Sequence, residues 1–271
     1  MTHGEELRRG ERFNFGANWT RFLTQLTEQR IGSAEASLKV MLGLSDLTDR
    51  RFLDVGSGSG LFSLAARRLG ASVYSFDYDP QSVACTAELK RRYFPEDDKW
   101  IVTQASVLDN AFLARVGSFD IVYSWGVLHH TGAMWRALEN IAPLVSEGGK
   151  LHIAIYNDQG YISRYWGLVK RIYNHVVLFR PILICLHWPY LVGLRWLYRK
   201  FFGCSLERGM SLSSDMFDWL GGLPFEVARP EDIFSYFRAR GFVLDRLKTR
   251  GGSPGCNEFV FCRRTWTSDS D

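Results

Sequence analysis

The chain has 271 residues, 46% of them hydrophobic and 23% charged, with a formal net charge of +4. That length suits one large α/β domain, or one domain with an insertion, and is ample for a buried core. The charge is too weakly basic to indicate a nucleic-acid partner by itself. Five scattered cysteines, Cys85, Cys185, Cys204, Cys256 and Cys262, include no C-x-x-C pair; they argue against a disulfide framework or zinc site and for a reduced, cytoplasmic setting. Residues 1–12 are polar and charged, unlike a secretory signal, and read as a flexible tail. Residues 13–47 read as a helical cap of two segments. The first carries Trp19, Phe22, Leu23 and Leu26; the second is predicted to start at Ser33 as N-cap and to run to Leu44.

Arg51 to Val55 is a short apolar strand with Asp54 near its end, followed by Gly56, Gly58 and Gly60 at alternate positions and then an apolar-faced helix. Glycine suits such a turn because it accepts positive φ and lets a ligand approach the backbone. A second strand, Ser72 to Phe76, ends in Asp77-Tyr78-Asp79-Pro80; Asp79 reads as the cap of the next helix and Asp77 as the acid of the strand end. A third strand, Trp100 to Ala105, leads into Ser106-Val107-Leu108-Asp109, and a fourth, Phe119 to Ser124, into Trp125-Gly126-Val127-Leu128-His129-His130. The helix from Met134 to Leu144 precedes a fifth strand, Lys150 to Tyr156. This alternation predicts a mostly parallel sheet. After an insertion, a helix from Pro230 and two strands, Phe242–Lys248 and Asn257–Cys262, complete the core, leaving 265–271 as a polar tail.

The dinucleotide fingerprint G-x-G-x-x-G needs its third glycine where Leu61 stands, which disfavours a nicotinamide enzyme. Asp54-Val55-Gly56-Ser57-Gly58-Ser59-Gly60 instead resembles the first motif of the class I S-adenosylmethionine (SAM)-dependent methyltransferases. Phe119-Asp120 with Leu128-His129-His130, and Pro143-Leu144 followed by Gly148-Gly149, resemble two further motifs of that family, in the expected order. The nearest resemblance is to the small-molecule O-methyltransferases of ubiquinone biosynthesis. It implies a Rossmann-like, seven-stranded, mostly parallel sheet with an antiparallel last strand, formed by 48–156 and 228–264. It also implies SAM on Asp54, Gly56, Ser57, Gly58 and Gly60, its ribose on Asp77 beside Tyr78, its adenine near Ser106 and Val107, and a wall from Ser124, Trp125 and Gly126. Ser106 stands where the family commonly has an acid. The family also often covers its cofactor with an N-terminal segment; Phe15 to Trp19 either does so here or packs on a sheet edge.

A hydroxyl acceptor benefits from a base, and His130 or His129 is the expected one. No metal-ligand constellation is visible, so metal-independent transfer is expected. Trp19, Tyr156, Tyr161 and Trp166 are the expected substrate contacts. Residues 157–227 form the helical insertion or substrate lid, with Tyr161, Tyr165, Trp166, Val169, Ile172 and Tyr173 on one face and Arg164, Lys170 and Arg171 interspersed. Pro181 to Leu194 is apolar, and Arg195, Arg199 and Lys200 alternate with aromatics after it. That composition fits a segment lying in a membrane interface; a pocket lid or a homodimer contact are the alternatives. The acceptor is read as a small, amphipathic or lipid-like molecule. A nucleic-acid methyltransferase and a non-catalytic SAM-binding protein are the rival readings.

Overall fold

In a computed structural model the chain is described over residues 3–194, 212–251 and 255–264. Seven strands form one sheet: β1 (Arg51–Val55), β2 (Ser72–Asp77), β3 (Trp100–Gln104), β4 (Phe119–Trp125), β5 (Val145–Tyr156), β6 (Phe242–Lys248) and β7 (Cys256–Arg263). Their order is β3-β2-β1-β4-β5-β7-β6. The first five run parallel, and β7 lies antiparallel between β5 and β6. Order reverses between β1 and β4, so the carboxyl ends of those strands splay apart into the crevice where open α/β sheets bind ligands.

Apolar runs make the inner strands, as a sheet covered on both faces requires. Phe52, Leu53 and Val55 of β1 and Ile121 and Val122 of β4 are essentially inaccessible. One layer holds α4 (Leu61–Arg68), α5 (Pro80–Tyr93) and the N-terminal helices; the other holds α6 (Asn110–Val116), α7 (Met134–Ile141) and the late helix described below. Asp79 caps α5 by accepting from the Gln81 N–H at 2.9 Å, and Asp109 caps α6 from the Phe112 N–H at 3.0 Å.

Two local expectations change. Residues 3–8 form a helix, α1 (His3–Arg8), where a flexible tail was expected. Its Glu6 meets Arg12 at 2.6 Å and the Tyr78 hydroxyl at 3.3 Å, contacts whose partners lie outside the helix and give no periodic signal. The second cap helix starts earlier than Ser33. After α2 (Gly16–Thr24), α3 spans Glu28–Leu42 with Thr27 as cap, and Ser33 donates to the Gln29 carbonyl from within it.

The insertion contains α8 (Tyr161–His175), α9 (Arg180–Trp188), a wider helical turn over Pro189–Leu194, and α10 (Leu212–Gly221). These close on their own apolar cluster of Trp166, Val169, Tyr173, Leu183, Leu191, Met216 and Leu220. Then α11 (Pro230–Arg238) returns to the sheet. Arg195, Arg199, Lys200, the aromatics between them and the tail 265–271 lie outside the described residues.

Candidate functional site

At the β1 terminus Gly56, Gly58 and Gly60 take φ values of 79°, 55° and 78°, the left-handed region that glycine enters without strain. The N–H groups of Gly56 and Ser57 both donate to the Phe76 carbonyl, at 2.8 and 3.1 Å, stitching the turn to β2. A side chain on Gly56 would collide with Val127, and one on Gly58 would meet the Trp19 indole at 3.2 Å. The N-terminal segment therefore packs Trp19 against the glycine turn.

Asp77 is the acid of the β2 end. Its oxygens accept the Gly58 and Asp79 N–H groups, each at 2.9 Å. Burial nevertheless pushes its pKa up to about 6, because two neutral donors do not replace the water a carboxylate loses. Asp79 is committed elsewhere: besides capping α5 it accepts the Gly16 N–H at 2.8 Å, which moors α2. Asp54 is buried beneath the turn, with Oδ2 accepting from the Ser63 hydroxyl at 2.5 Å; Ser63 contacts Ser75, which accepts the Trp100 indole N–H.

The remaining expected cofactor residues divide between lining and scaffold. Gly126, φ 74°, has no atom within 4 Å of where a Cβ would sit, so the β4 end opens onto free space. Ser124 is buried and donates to the Val55 carbonyl at 2.9 Å, a tie between β1 and β4 that takes its hydroxyl inward. Ser57 shares a hydrogen bond with Thr86 at 2.8 Å. Ser106 accepts the Leu108 N–H at 3.1 Å, and buried Val107 offers its carbonyl to the Asn140 amide at 2.9 Å. Tyr78 lies under the Arg12 guanidinium, 5.0 Å from its ring centre.

Opposite the glycine turn, Leu128–His130 form a short 3-10 turn in which both histidines are buried. His130 Nδ1 sits 2.6 Å from the Pro224 carbonyl. A carbonyl only accepts, so Nδ1 carries the proton and Nε2 keeps its lone pair. Burial drives the His130 pKa down to about 3, with the charges of Lys170 and Arg12 adding to it. His129, lowered in the same way, packs its ring 3.9 Å from that of Tyr156. Both are neutral at physiological pH.

The segment from Trp219 to Glu226 straps this turn down. Leu223 O accepts the Phe13 N–H at 3.1 Å, Glu226 N–H donates to His129 O at 3.0 Å, and the Glu226 carboxylate takes the Met134 N–H at the start of α7. Arg12 donates to His130 O at 2.9 Å, and the Phe15 ring packs at a tilt with its centre 4.9 Å from that of His130. From the insertion, Lys170 donates to Trp219 O and Asn174 to Gly221 O. Lys170, expected among the interspersed charges, is instead 0% exposed.

Of the expected substrate contacts, Tyr156 lies at the site, with Phe225 and Trp219 rings about it at 5.4 and 5.3 Å. Tyr161 is 84% exposed and turned to solvent, because it opens α8 on the outer side. Trp166 packs inside the insertion's own cluster against His187 and Trp219. Arg12, Lys170, Pro224 and Glu226 were missed. The run Gly221-Gly222-Leu223-Pro224 did carry a turn signal, and Lys170 falls between the apolar positions Trp166, Val169 and Tyr173 of one helix face.

Residues 53–151 match a family model described as a methyltransferase domain. Over that stretch the sequence has the pattern of a methyltransferase domain. A ubiquinone biosynthesis O-methyltransferase of Xanthomonas oryzae pv. oryzae is 31% identical over 112 residues, 41% of this chain and 45% of that protein. A tRNA U34 carboxymethyltransferase of Ectopseudomonas mendocina is 34% identical over 108 residues, 39% of this chain and 32% of that protein. The chain thus spans less than half the length of the curated relatives it matches. Among solved structures, magnesium protoporphyrin IX methyltransferase of Synechocystis PCC 6803 aligns with a TM-score of 0.52 at 17% identity over 96% of this chain and 93% of that one. An O-methyltransferase family protein of Burkholderia thailandensis aligns with a TM-score of 0.57 at 14% identity, over 98% and 68%. These share the fold.

The cofactor of such a domain is SAM, and the residues present fit it. The open space over Gly126 leaves room for a ligand beside the glycine turn, whose own backbone is approached by Val127, Trp19 and Thr86. The Asp77 carboxylate has lone pairs beyond the two already used, enough for two ribose hydroxyls.

Proposed function

We propose that the chain is a SAM-dependent methyltransferase acting on an oxygen of a small, amphipathic acceptor drawn from a membrane surface. The observation that carries the reading is the juxtaposition of the Asp77-glycine corner with the His130–Tyr156 wall at the carboxyl end of one parallel sheet. Asp77 would hold the ribose, the turn from Gly56 to Gly60 the methionine end, and Trp19 the cover. When bound, SAM supplies an electrophilic methyl carbon. His130 Nε2, its tautomer fixed by Pro224, keeps a lone pair that can accept a hydrogen bond from a donor group of the acceptor and so orient it. With a pKa near 3 it takes up a full proton only at a cost of about 5 kcal/mol at neutral pH. Its part is therefore alignment more than proton removal. The strap and Trp19 exclude water.

The insertion supports delivery from a bilayer. Leu178 is 81% exposed, and Val177, Ile182, Leu186 and Trp188 of the same segment all stand in solvent. An apolar surface of that extent wants a partner. No single helix among the described residues is long and apolar enough to cross a membrane. The bent pair Tyr161–His175 and Val177–Gly193, at 115°, passes that test by length and composition when taken together. This fits a hairpin seated in one leaflet. The rival nucleic-acid reading would want a basic face here, whereas this stretch is aliphatic. Incubation with methyl-labelled SAM, bacterial lipid vesicles and total RNA tests the choice. Label in the organic phase is expected, with co-sedimentation that persists in high salt; label in RNA alone, or none, overturns the proposal.

A further inference from the structure

Lys170 is wholly buried, and among the described residues its ammonium has one hydrogen-bond acceptor, the Trp219 carbonyl, for three N–H donors. Its nitrogen lies over two ring faces, 4.7 Å from the centre of Trp219 and 4.8 Å from that of Phe225. Phe225 packs on Tyr156, which packs on His129. The aromatic faces soften the burial of a cation without neutralising it. The other charges facing this place are few. Arg12, at the far side of His130, adds positive potential that its partner Glu6, 2.6 Å away, offsets. Glu226 is occupied by the start of α7, and Asp218 acts on Lys170 through the field. Burial brings the Lys170 pKa down to about 7, the behaviour of an ammonium short of counter-charge.

Resting on the methyltransferase reading above, we infer that Lys170 is the counter-ion for an acceptor that binds with its reacting oxygen already ionised, a carboxylate or an acidic phenolate. The inference also resolves the weakness of His130 as a base. An ionised oxygen attacks the methyl carbon directly: the O–C bond forms, the C–S bond breaks with its electron pair passing to sulfur, and no proton needs a destination. Methyl ester or aryl ether and neutral thioether are the products, and charge balances. An anionic head on an apolar body is also the chemistry that the exposed insertion would present from a bilayer.

The test uses the full chain loaded with S-adenosylhomocysteine and three probes of one shape: 4-butylbenzoate, 4-butyl-2,6-difluorophenol, partly ionised at neutral pH, and the neutral 4-butylbenzamide. Calorimetry at pH 7, where Lys170 is still about half protonated, should give at least one anion a tenfold or greater preference over the amide. Lys170→Met should erase that preference while homocysteine-adduct affinity stays unchanged, and Lys170→Arg should keep part of it. Preference for the benzoate alone assigns a carboxylate acceptor, and for the phenol alone a phenolate. Lys170→Gln, with a thermal melt for each variant, covers a Met variant that fails to fold. Neither anion binding, equal binding of the amide, or a preference that survives in Lys170→Met overturns the inference. Failure of the wild-type chain to bind S-adenosylhomocysteine overturns the methyltransferase reading instead.

Discussion

Asp77 gives the cofactor assignment a pH signature. Its carboxyl, held near pKa 6 by burial, must be ionised to accept two ribose hydroxyls while still accepting the Gly58 and Asp79 N–H groups. Protonation converts one acceptor oxygen into a donor that faces another donor. Only the ionised fraction then binds well. At pH 5 that fraction is about one in eleven, so the apparent Kd should rise about tenfold from its value at pH 7. His129 and His130 titrate far lower, and the amino and carboxyl groups of the ligand ionise outside this window; His3, lowered by burial beside Asp79, and Lys170, near 7, do respond in this region, so the Asp77→Asn variant is the control. Calorimetric titration of S-adenosylhomocysteine between pH 5 and 8 measures it. Asp77→Asn should bind about 10- to 100-fold more weakly, the scale of a lost charged hydrogen bond, and with no slope over this range. An affinity flat from pH 5 to 7 in the wild-type chain, or a slope retained in Asp77→Asn, would refute the ribose assignment.

Gly126 and Gly241 both have positive φ, 74° and 82°, and neither has an atom within 4 Å of a would-be Cβ. Alanine at either should cost about 1–2 kcal/mol of stability through backbone strain, yet only Gly126→Ala should weaken S-adenosylhomocysteine, because its methyl enters the site; equal affinities in the two variants would remove Gly126 from the lining. For His130 the folded pKa lies below the unfolded 6.5, so its contribution is whole above that pH and is lost as pH falls toward 3. At pH 5 the loss is about 2 kcal/mol. Asp77, raised instead, works in the opposite sense between pH 3.8 and 6 but is common to both proteins. Urea midpoints of wild type and His130→Gln at pH 7 and 5 should therefore converge on acidification; parallel behaviour would mean that His130 titrates normally.

Strand and helix order was legible because alternation of apolar runs and turns is a local signal, and the cofactor corner because its chemistry is backbone geometry that glycines announce. Asp79 could be read as a cap for the same reason: the donor it satisfies lies two residues on. The acceptor half follows other rules. Pro224 fixes the His130 tautomer from 94 positions away, and Arg12 reaches the same residue across 118. Neither link has a periodicity. Tyr161 and Trp166 were read as pocket residues because both lie on the aromatic face of α8. One helix face met solvent at its start and the insertion's own cluster further on, a division that packing alone decides.

The charges around the acceptor position also constrain what can react there. A sulfonium donor arrives positive, at a place where Arg12 and Lys170 already lower the histidines. At an effective dielectric of about 20, two like charges about 8 Å apart repel by roughly 2 kcal/mol. An unpaired cation at that distance would weaken donor binding by about thirtyfold unless something offsets it. Arg12 is offset by Glu6 at 2.6 Å, while Asp77 and Glu226 are engaged by backbone N–H groups; that leaves Lys170, on which Asp218 acts through the field. A neutral alcohol would leave the imbalance standing and would still need a base stronger than His130. An anionic oxygen removes the repulsion and the need for the base together, and its charge is consumed as the sulfonium loses its own. On that reading SAM affinity should rise when an anionic acceptor is present, and equal SAM affinity with and without 4-butylbenzoate would refute it.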